Sequence, residues 1–383
     1  MAFLRNLLVA FVAAAVAANG AAIAKDAVFE ANVAKGLRLI DLDPNVTPVW
    51  MTEDEKLELI RADKNFFDVT EVYEPPRANK KLAAALADDT AHPRPSRQSS
   101  VTPLVSQVSV SNMQSYLTTL TSFNNRYYRA QTGADASVWI RNTVQDAITR
   151  YPTSGASVAL FSHSFIQSSI IAKFPGTNPS NPIIILGAHM DSINSRSPTT
   201  GRAPGADDDG SGTVNLIEAF RVLVANGFKP TSPVEFHWYA GEEAGLLGSQ
   251  AIATNYKNAG KQVKGMLQFD MTAYVAPGSR EVISLMPDFT NANLTQFIGQ
   301  LVDTYLTIPW AINNPCGYGC SDHASWDRQG YPAALPFEGT YPANSNSRIH
   351  TDGDTTSVSG FSWSHTLEYA KLAVAYAYEL GSL

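Results

Sequence analysis

Five short segments in the second half of the chain place a His, Asp or Glu where an apolar run gives way to a loop. They are Gly187-Ala-His-Met-Asp-Ser, Gly205-Ala-Asp-Asp-Asp-Gly-Ser-Gly, Gly241-Glu-Glu-Ala-Gly, Gln268-Phe-Asp-Met-Thr and Arg348-Ile-His-Thr-Asp. Two imidazoles and three carboxylates, with a spare Glu beside one of them, suit a pair of zinc ions doing hydrolysis. Calcium would take oxygen ligands alone, and a thiolate site would need more than the two cysteines present.

The residues differ in how much they say alone. In extended backbone His189 and Asp191 point the same way, so Asp191 can accept the second N–H of a metal-bound imidazole. Asp207, Asp208 and Asp209 repel one another. Either they form a solvated turn whose last member caps a helix, or cations absorb their charge and one carboxylate bridges two of them. Glu242 and Glu243 diverge on extended backbone, so one can bind metal while the other faces the pocket as general base. Asp270 ends a buried run, where an unpaired carboxylate costs several kcal/mol. Spacing leaves the second imidazole open between His323 and His350. His92, His163, His237 and His365 read as structural or surface residues without companion carboxylates.

These segments need a frame. Helical spacing runs over Gln107–Leu120, Ala136–Arg150, Val214–Asn226, Gly248–Ala259, Asn293–Leu306 and Trp363–Leu380. Strands are expected over Ser157–Phe165, Ile183–Gly187, Val234–Ala240 and Val263–Asp270. The alternation predicts an α/β fold, a mostly parallel central sheet flanked by helices on both faces. Ligands in such sheets bind beyond the carboxyl ends of the strands, where His189, Glu242, Glu243 and Asp270 fall.

The 383 residues, 44% hydrophobic and 16% charged, can bury a large core. A net charge of −7 without a basic stripe argues against nucleic acid as a partner. Arg5, the apolar run Leu7–Ala18 and Ala22-Ile-Ala read as a signal peptide over 1–24, the alternative being an uncleaved anchor. Residues 25–98, with helical stretches at Glu53–Lys64 and Lys80–Ala87, read as a propeptide or an integral subdomain. They end in a Pro/Ser/Arg run at His92–Ser100 expected to be a linker open to proteases. Residues 99–383 read as the catalytic domain. Cys316 and Cys320 flank Gly-Tyr-Gly and can close a small disulfide loop in an oxidising compartment. Asn45 and Asn293 begin glycosylation sequons.

Together the segments resemble peptidase family M28, the co-catalytic zinc aminopeptidases, over roughly residues 100–383. The resemblance adds Ala203-Pro-Gly-Ala-Asp-Asp-Asp, Cys316-Gly-Tyr-Gly-Cys-Ser-Asp-His-Ala-Ser-Trp and Gly330-Tyr-Pro-Ala-Ala to the segments above. It implies a secreted monomer holding two zinc ions, free of the membrane after signal cleavage. That monomer would act on peptides with a free N-terminus and prefer leucine or another large apolar first residue. It assigns His189 and Asp270 to one zinc, Glu243 and His350 to the other, and Asp208 to the bridge. Glu242 becomes the general base and Tyr318 the oxyanion donor. Asp191 and Asp209 stand behind the ligands, with a cis peptide at Asp208–Asp209. Met271, Cys316, Cys320, Leu335, Phe337 and Tyr341 line the pocket for the first side chain, and His323 falls outside the ligands. The segment from Phe337 to Arg348 is about one residue longer than in the family's bacterial member that the chain resembles. The competing enzyme reading is a one-zinc acyltransferase of the glutaminyl cyclase kind. A module without catalysis is disfavoured by the intact ligands, and a serine hydrolase by the lack of a Gly-x-Ser-x-Gly elbow.

Overall fold

The chain divides into two compact units, residues 1–83 and 84–383. The structure, a computed structural model, describes residues 25–43, 46–62, 64, 66–74 and 92–383. The signal segment, Asn45 and the Lys80–Ala87 stretch lie outside them.

In the first unit Asp26 opens helix α1 (Ala27–Ala34) by accepting the N–H groups of Val28 and Phe29. Strands β1 (Arg38–Asp41), β2 (Val49–Met51) and β3 (Phe67–Asp68) pair antiparallel in the order β2-β1-β3. Helix α2 (Glu53–Arg61) starts at a capping box between Thr52 and Glu55. Ile40, Met51 and Phe66 pack beneath. The buried Lys56 ammonium lies 3.2 Å from Asp68 and 3.2 Å from Glu53, and Arg38 reaches the same Asp68 oxygen at 2.7 Å. Burial alone would raise the Asp68 pKa. The Lys56 and Arg38 cations outweigh it and hold the carboxyl below its ordinary 3.8.

The second unit opens with helices α3 (Gln98–Val105), α4 (Val110–Leu120) and α5 (Gln131–Arg150), then antiparallel strands β4 (Ser157–Phe161) and β5 (Ser169–Phe174). There follow β6 (Ile183–His189), α6 (Gly210–Ala225), β7 (Val234–Tyr239), α7 (Leu247–Asn258), β8 (Val263–Gln268) and β9 (Ile283–Leu285). The chain closes with α8 (Ala292–Tyr305), β10 (Trp310–Ile312), α9 (His323–Arg328), β11 (Ala333–Ala334), β12 (Pro336–Phe337) and α10 (Trp363–Gly381). The main sheet runs β11-β8-β6-β7-β5-β4. Its first four strands are parallel, and β5 and β4 are antiparallel. Strands β10-β9-β12 form a small second sheet.

Every residue of β6 is buried. Ile184, Leu186 and Ala188 face one cluster with α6 and α10, while Ile183 and Ile185 face another with Ile252, Tyr256 and Trp326 of α7 and α9. A strand covered on both sides must be apolar at every step, which is why Pro182-Ile-Ile-Ile-Leu-Gly-Ala shows no alternation. Each such Ile or Leu contributes about 1.5–3 kcal/mol. Helices flank the sheet as expected, but the sheet is mixed. Strand β4 stops at Phe161, β5 was not expected, α5 starts at Gln131 rather than Ala136, and a break at Ser106–Ser109 separates α3 from α4. The His92–Ser100 run is tied down at its end, because the Glu379 carboxylate of α10 accepts the N–H groups of Ser96 and Arg97. Among the described residues no helix is long and apolar enough to cross a membrane.

Candidate metal centre

Three neighbouring parallel strands, β8, β6 and β7, deliver side chains to one end of the sheet. His189 is the last residue of β6, Asp270 lies two beyond β8, and Glu242 and Glu243 follow β7. Asp208 arrives just before α6, and His350 from the loop after β12. His189 Nε2 lies 3.0 Å from Asp208 Oδ1 and 3.5 Å from Asp270 Oδ1. His350 Nε2 lies 3.2 Å from Asp208 Oδ2 and 3.0 Å from Glu243 Oε2. The five residues thus form two groups of three with Asp208 common to both, and within each group the ligand atoms lie inside 4.8 Å of one another. One Asp208 oxygen faces each imidazole.

The surrounding backbone holds this arrangement. Asp191 Oδ1 accepts the N–H of Glu242 at 3.0 Å and its Oδ2 that of Glu243 at 3.1 Å, so one carboxylate sets both Glu residues. Its Oδ1 lies 3.5 Å from His189 Nδ1, which leaves Nε2 facing Asp208 and Asp270. Asp209 accepts the N–H of Gly212 at 2.9 Å, capping α6, and that of His189 at 3.0 Å, tying the helix to β6. The Asp208–Asp209 peptide is cis. Gly205 has φ +52°, and a Cβ there would meet Asp208 O and Ser192 Cβ at 2.6 Å, so no side chain fits at the entry to this turn.

Burial and mutual repulsion dominate the electrostatics. Burial pushes Glu243 up to about 7 against the pull of His350. Glu242 is also raised well above the ordinary range by burial, with His189 opposing and Asp322, Asp270 and Glu243 adding repulsion. Burial works against a charged His189, yet Asp270, Glu242, Asp191 and Asp208 raise it well above 6.5. Asp208, between two imidazoles, is lowered despite its burial. Bound cations would neutralise this excess of carboxylates, and the nitrogen and oxygen donors fit zinc.

Several contributors have no sequence signature. Asp354 accepts the N–H of Asp207 at 3.2 Å and of Asp208 at 3.0 Å. The exposed Asp352 of the Arg-Ile-His-Thr-Asp segment stands aside. Asn346 Nδ2 donates to Asp207 at 3.0 Å and to Asp354 at 3.2 Å. Buried Glu338 is raised well above the ordinary carboxyl range by burial and by Asp207, with which it shares a hydrogen bond. Arg126, fully buried, donates to the carbonyls of Met190 at 2.7 Å and Gly205 at 2.8 Å. His237 corrects the sequence reading of a histidine without a carboxylate. Its Nε2 lies 3.0 Å from Glu235 two residues earlier on β7, and its Nδ1 faces the Tyr239 hydroxyl. His365 is likewise 3.1 Å from Glu281. His323 starts α9, outside both groups, and burial drives its pKa down to about 3.

Beside the groups lies an apolar cluster of Met271, Met286, Leu335 and Phe337, with Cys316, Cys320, Tyr341 and Ile349 packed on it. Met286 and Ile349 were not expected. Cys316 and Cys320 are joined in a disulfide. Within their loop, the Tyr318 hydroxyl lies 3.3 Å from that of Tyr341. Asn293 sits in the first turn of α8, half-buried, with Thr295 of its sequon buried.

Paired imidazole–carboxylate groups at the carboxyl ends of parallel strands, next to a partly exposed glutamate, equip a metallohydrolase. The chain belongs to peptidase family M28, whose model matches residues 169–377, and it is a metallo-aminopeptidase. It is 45% identical over 354 residues to leucine aminopeptidase 1 of Arthroderma otae, covering 89% of this chain and 91% of that one. The crystal structure of the Legionella pneumophila LapA aminopeptidase superposes with a TM-score of 0.79 at 30% identity, covering 92% and 96% of the two chains. Porphyromonas gingivalis glutaminyl cyclase shares the fold at a TM-score of 0.57 and 17% identity, covering 70% and 98%.

Proposed function

We propose that this aminopeptidase is a secreted monomer that binds two zinc ions and removes leucine or another large apolar residue from peptide N-termini. Residues 1–24 are its signal peptide, 25–98 its propeptide and 99–383 its catalytic domain. The observation that carries the two-metal reading is the Asp208 carboxylate, whose two oxygens face two different imidazoles. The apolar cluster of Met271, Leu335, Phe337 and Tyr341 supports the substrate preference. The apolar N-terminal segment and the disulfide support secretion.

His189, Asp270 and Asp208 would hold one zinc, and Glu243, His350 and Asp208 the other. When bound, the metals supply polarisation of the scissile carbonyl and an acidified water. Glu242 belongs to neither group and is partly exposed, so it is the group free to move a proton. It takes the proton from the attacking water and gives it to the leaving amine. Tyr318 donates its phenolic hydrogen bond to the developing oxyanion. The acidic floor holds the free α-amine of the substrate, which limits cleavage to the first peptide bond.

Metal analysis of the purified protein alongside hydrolysis of a leucyl anilide tests this reading. Two zinc ions per chain and release of leucine are expected. A fully active enzyme with one metal, or cyclisation of N-terminal glutamine without leucine release, would overturn it.

A further inference from the structure

The disulfide Cys316–Cys320 closes a five-residue ring around Tyr318, but a bond within a loop does not attach that loop to the body of the protein. The attachment is made elsewhere. Asp288, three residues past β9, accepts the N–H of Cys316 on Oδ1 at 3.2 Å and the N–H of Gly317 on Oδ2 at 2.8 Å. Both carboxylate oxygens are used, one for each of the two residues that lead into Tyr318. A charged acceptor gives such bonds more strength than a neutral one. Gly317 has φ +83°, so the chain turns sharply where it is gripped. On the other side, Phe289 is held at φ +54°, a left-handed conformation costly for a residue with a Cβ. The surrounding fold therefore keeps Asp288 at this position against local strain. At the far end of the ring's reach, the Tyr318 hydroxyl meets that of Tyr341. The N–H of Tyr341 is in turn accepted at 2.8 Å by the side-chain oxygen of Asn313, the residue after β10.

We infer that Asp288 is a positioning residue for the reaction. By gripping the backbone of Cys316 and Gly317 it sets where the Tyr318 hydroxyl stands. This rests on the reading of Tyr318 as the oxyanion donor. Asp288 is in neither metal group and is not Glu242, so its effect passes through the loop it grips: any change in kcat through Tyr318, and any change in KM through Cys316, which packs on the apolar cluster.

The test is a double-mutant cycle in the full-length, metal-loaded enzyme, with kcat and KM measured separately on a leucyl anilide. Displacing a reacting group by about 1 Å costs up to about 100-fold. Asp288→Ala is therefore expected to lower kcat by about 10- to 100-fold with KM within about threefold. Asp288→Asn, which keeps one acceptor oxygen, recovers part of the loss. In a Tyr318→Phe background, Asp288→Ala is expected to remove little further kcat, because the group it positions is already gone. Thermal midpoints of all variants establish that each is folded. Equal kcat losses from Asp288→Ala with and without the Tyr318 hydroxyl would overturn the inference, as would an unchanged kcat in Asp288→Ala. In either case a large loss in Tyr318→Phe alone leaves the oxyanion reading standing. Native kcat in Tyr318→Phe overturns both.

Discussion

The carboxylate of Asp354 accepts the backbone N–H of Asp208 at 3.0 Å, and takes that of Asp207 with it. Asp208 is the residue common to both groups of candidate ligands, so Asp354 pins the backbone from which the shared carboxylate springs. Loss of an outer hydrogen-bond partner of a metal ligand typically costs about 10–100-fold in metal affinity. Asp354→Ala is expected to weaken zinc binding by that factor, read by competition with a chelating dye. Asp354→Asn, which keeps an acceptor, should weaken it less. Native affinity in the alanine variant would assign Asp354 to folding alone.

Glu242 stands outside both groups, where burial, opposed by His189, and repulsion from Asp322, Asp270 and Glu243 shift its pKa above the ordinary carboxyl range in the metal-free protein. Glu242→Ala is expected to keep its full complement of metal and to lose about 10²–10⁴-fold in kcat, the range for a general acid–base group. Metal content by atomic emission and turnover on the same sample decide this. Turnover close to wild type would take the proton-transfer role away from Glu242.

Removing the shared carboxylate should act on both metals together. Asp208→Ala is expected to lose both zinc ions and all measurable activity. In the wild type, a chelator should lower the thermal midpoint, because cations that bind only the folded state stabilise it. Added zinc should restore the midpoint in wild type and fail to do so in Asp208→Ala. Two tightly held metals in that variant would contradict the bridge.

In the first unit, the ion cluster of Asp68, Lys56 and Arg38 makes stability depend on acid. The folded pKa of Asp68 lies below 3.8, its unfolded reference, since the two cations outweigh burial. A depressed carboxyl contributes its stabilisation fully above the unfolded value and loses it as the pH falls through the folded value. The unit is thus expected to hold near neutral pH and to loosen below pH 3.8, seen as accelerated amide exchange in β1 and β3. Asp68→Asn should weaken it at neutral pH, by less than the about 3–5 kcal/mol of a buried ion pair broken outright, because Lys56 keeps Glu53 and Arg38 keeps Glu71. Exchange in β1 that does not respond to acid would argue against this balance.

The metal-ligand residue types were legible because physics restricts where they occur. An Asp at the end of Gly265-Met-Leu-Gln-Phe, or a His after three isoleucines, sits in a strand buried on both faces. A polar side chain is kept there only with a partner. The parallel core of the sheet was legible for the same reason. Strand β5 was not, because Ser169–Phe174 is short and carries Lys173. Helix α3 was hidden by Pro103 and by the polar run before it. Asp354, Glu338 and Asp288 resemble ordinary loop acids in sequence. Their importance lies in which backbone N–H groups they reach, as with Asp288 and the two N–H groups 28 and 29 positions away.

By itself the sequence determined the chemistry available: imidazoles and carboxylates at the ends of buried strands, too few thiols for a sulfur site, and a cysteine pair close enough to bridge. Residue type and spacing left His350 and His323 open, and the family resemblance favoured His350; the tertiary structure is what brings His350 to Asp208 and encloses His323 in α9. The physical reason is that residue type limits what an atom can bind. Which atoms share one small volume depends on how the loops between distant strands are folded and pinned.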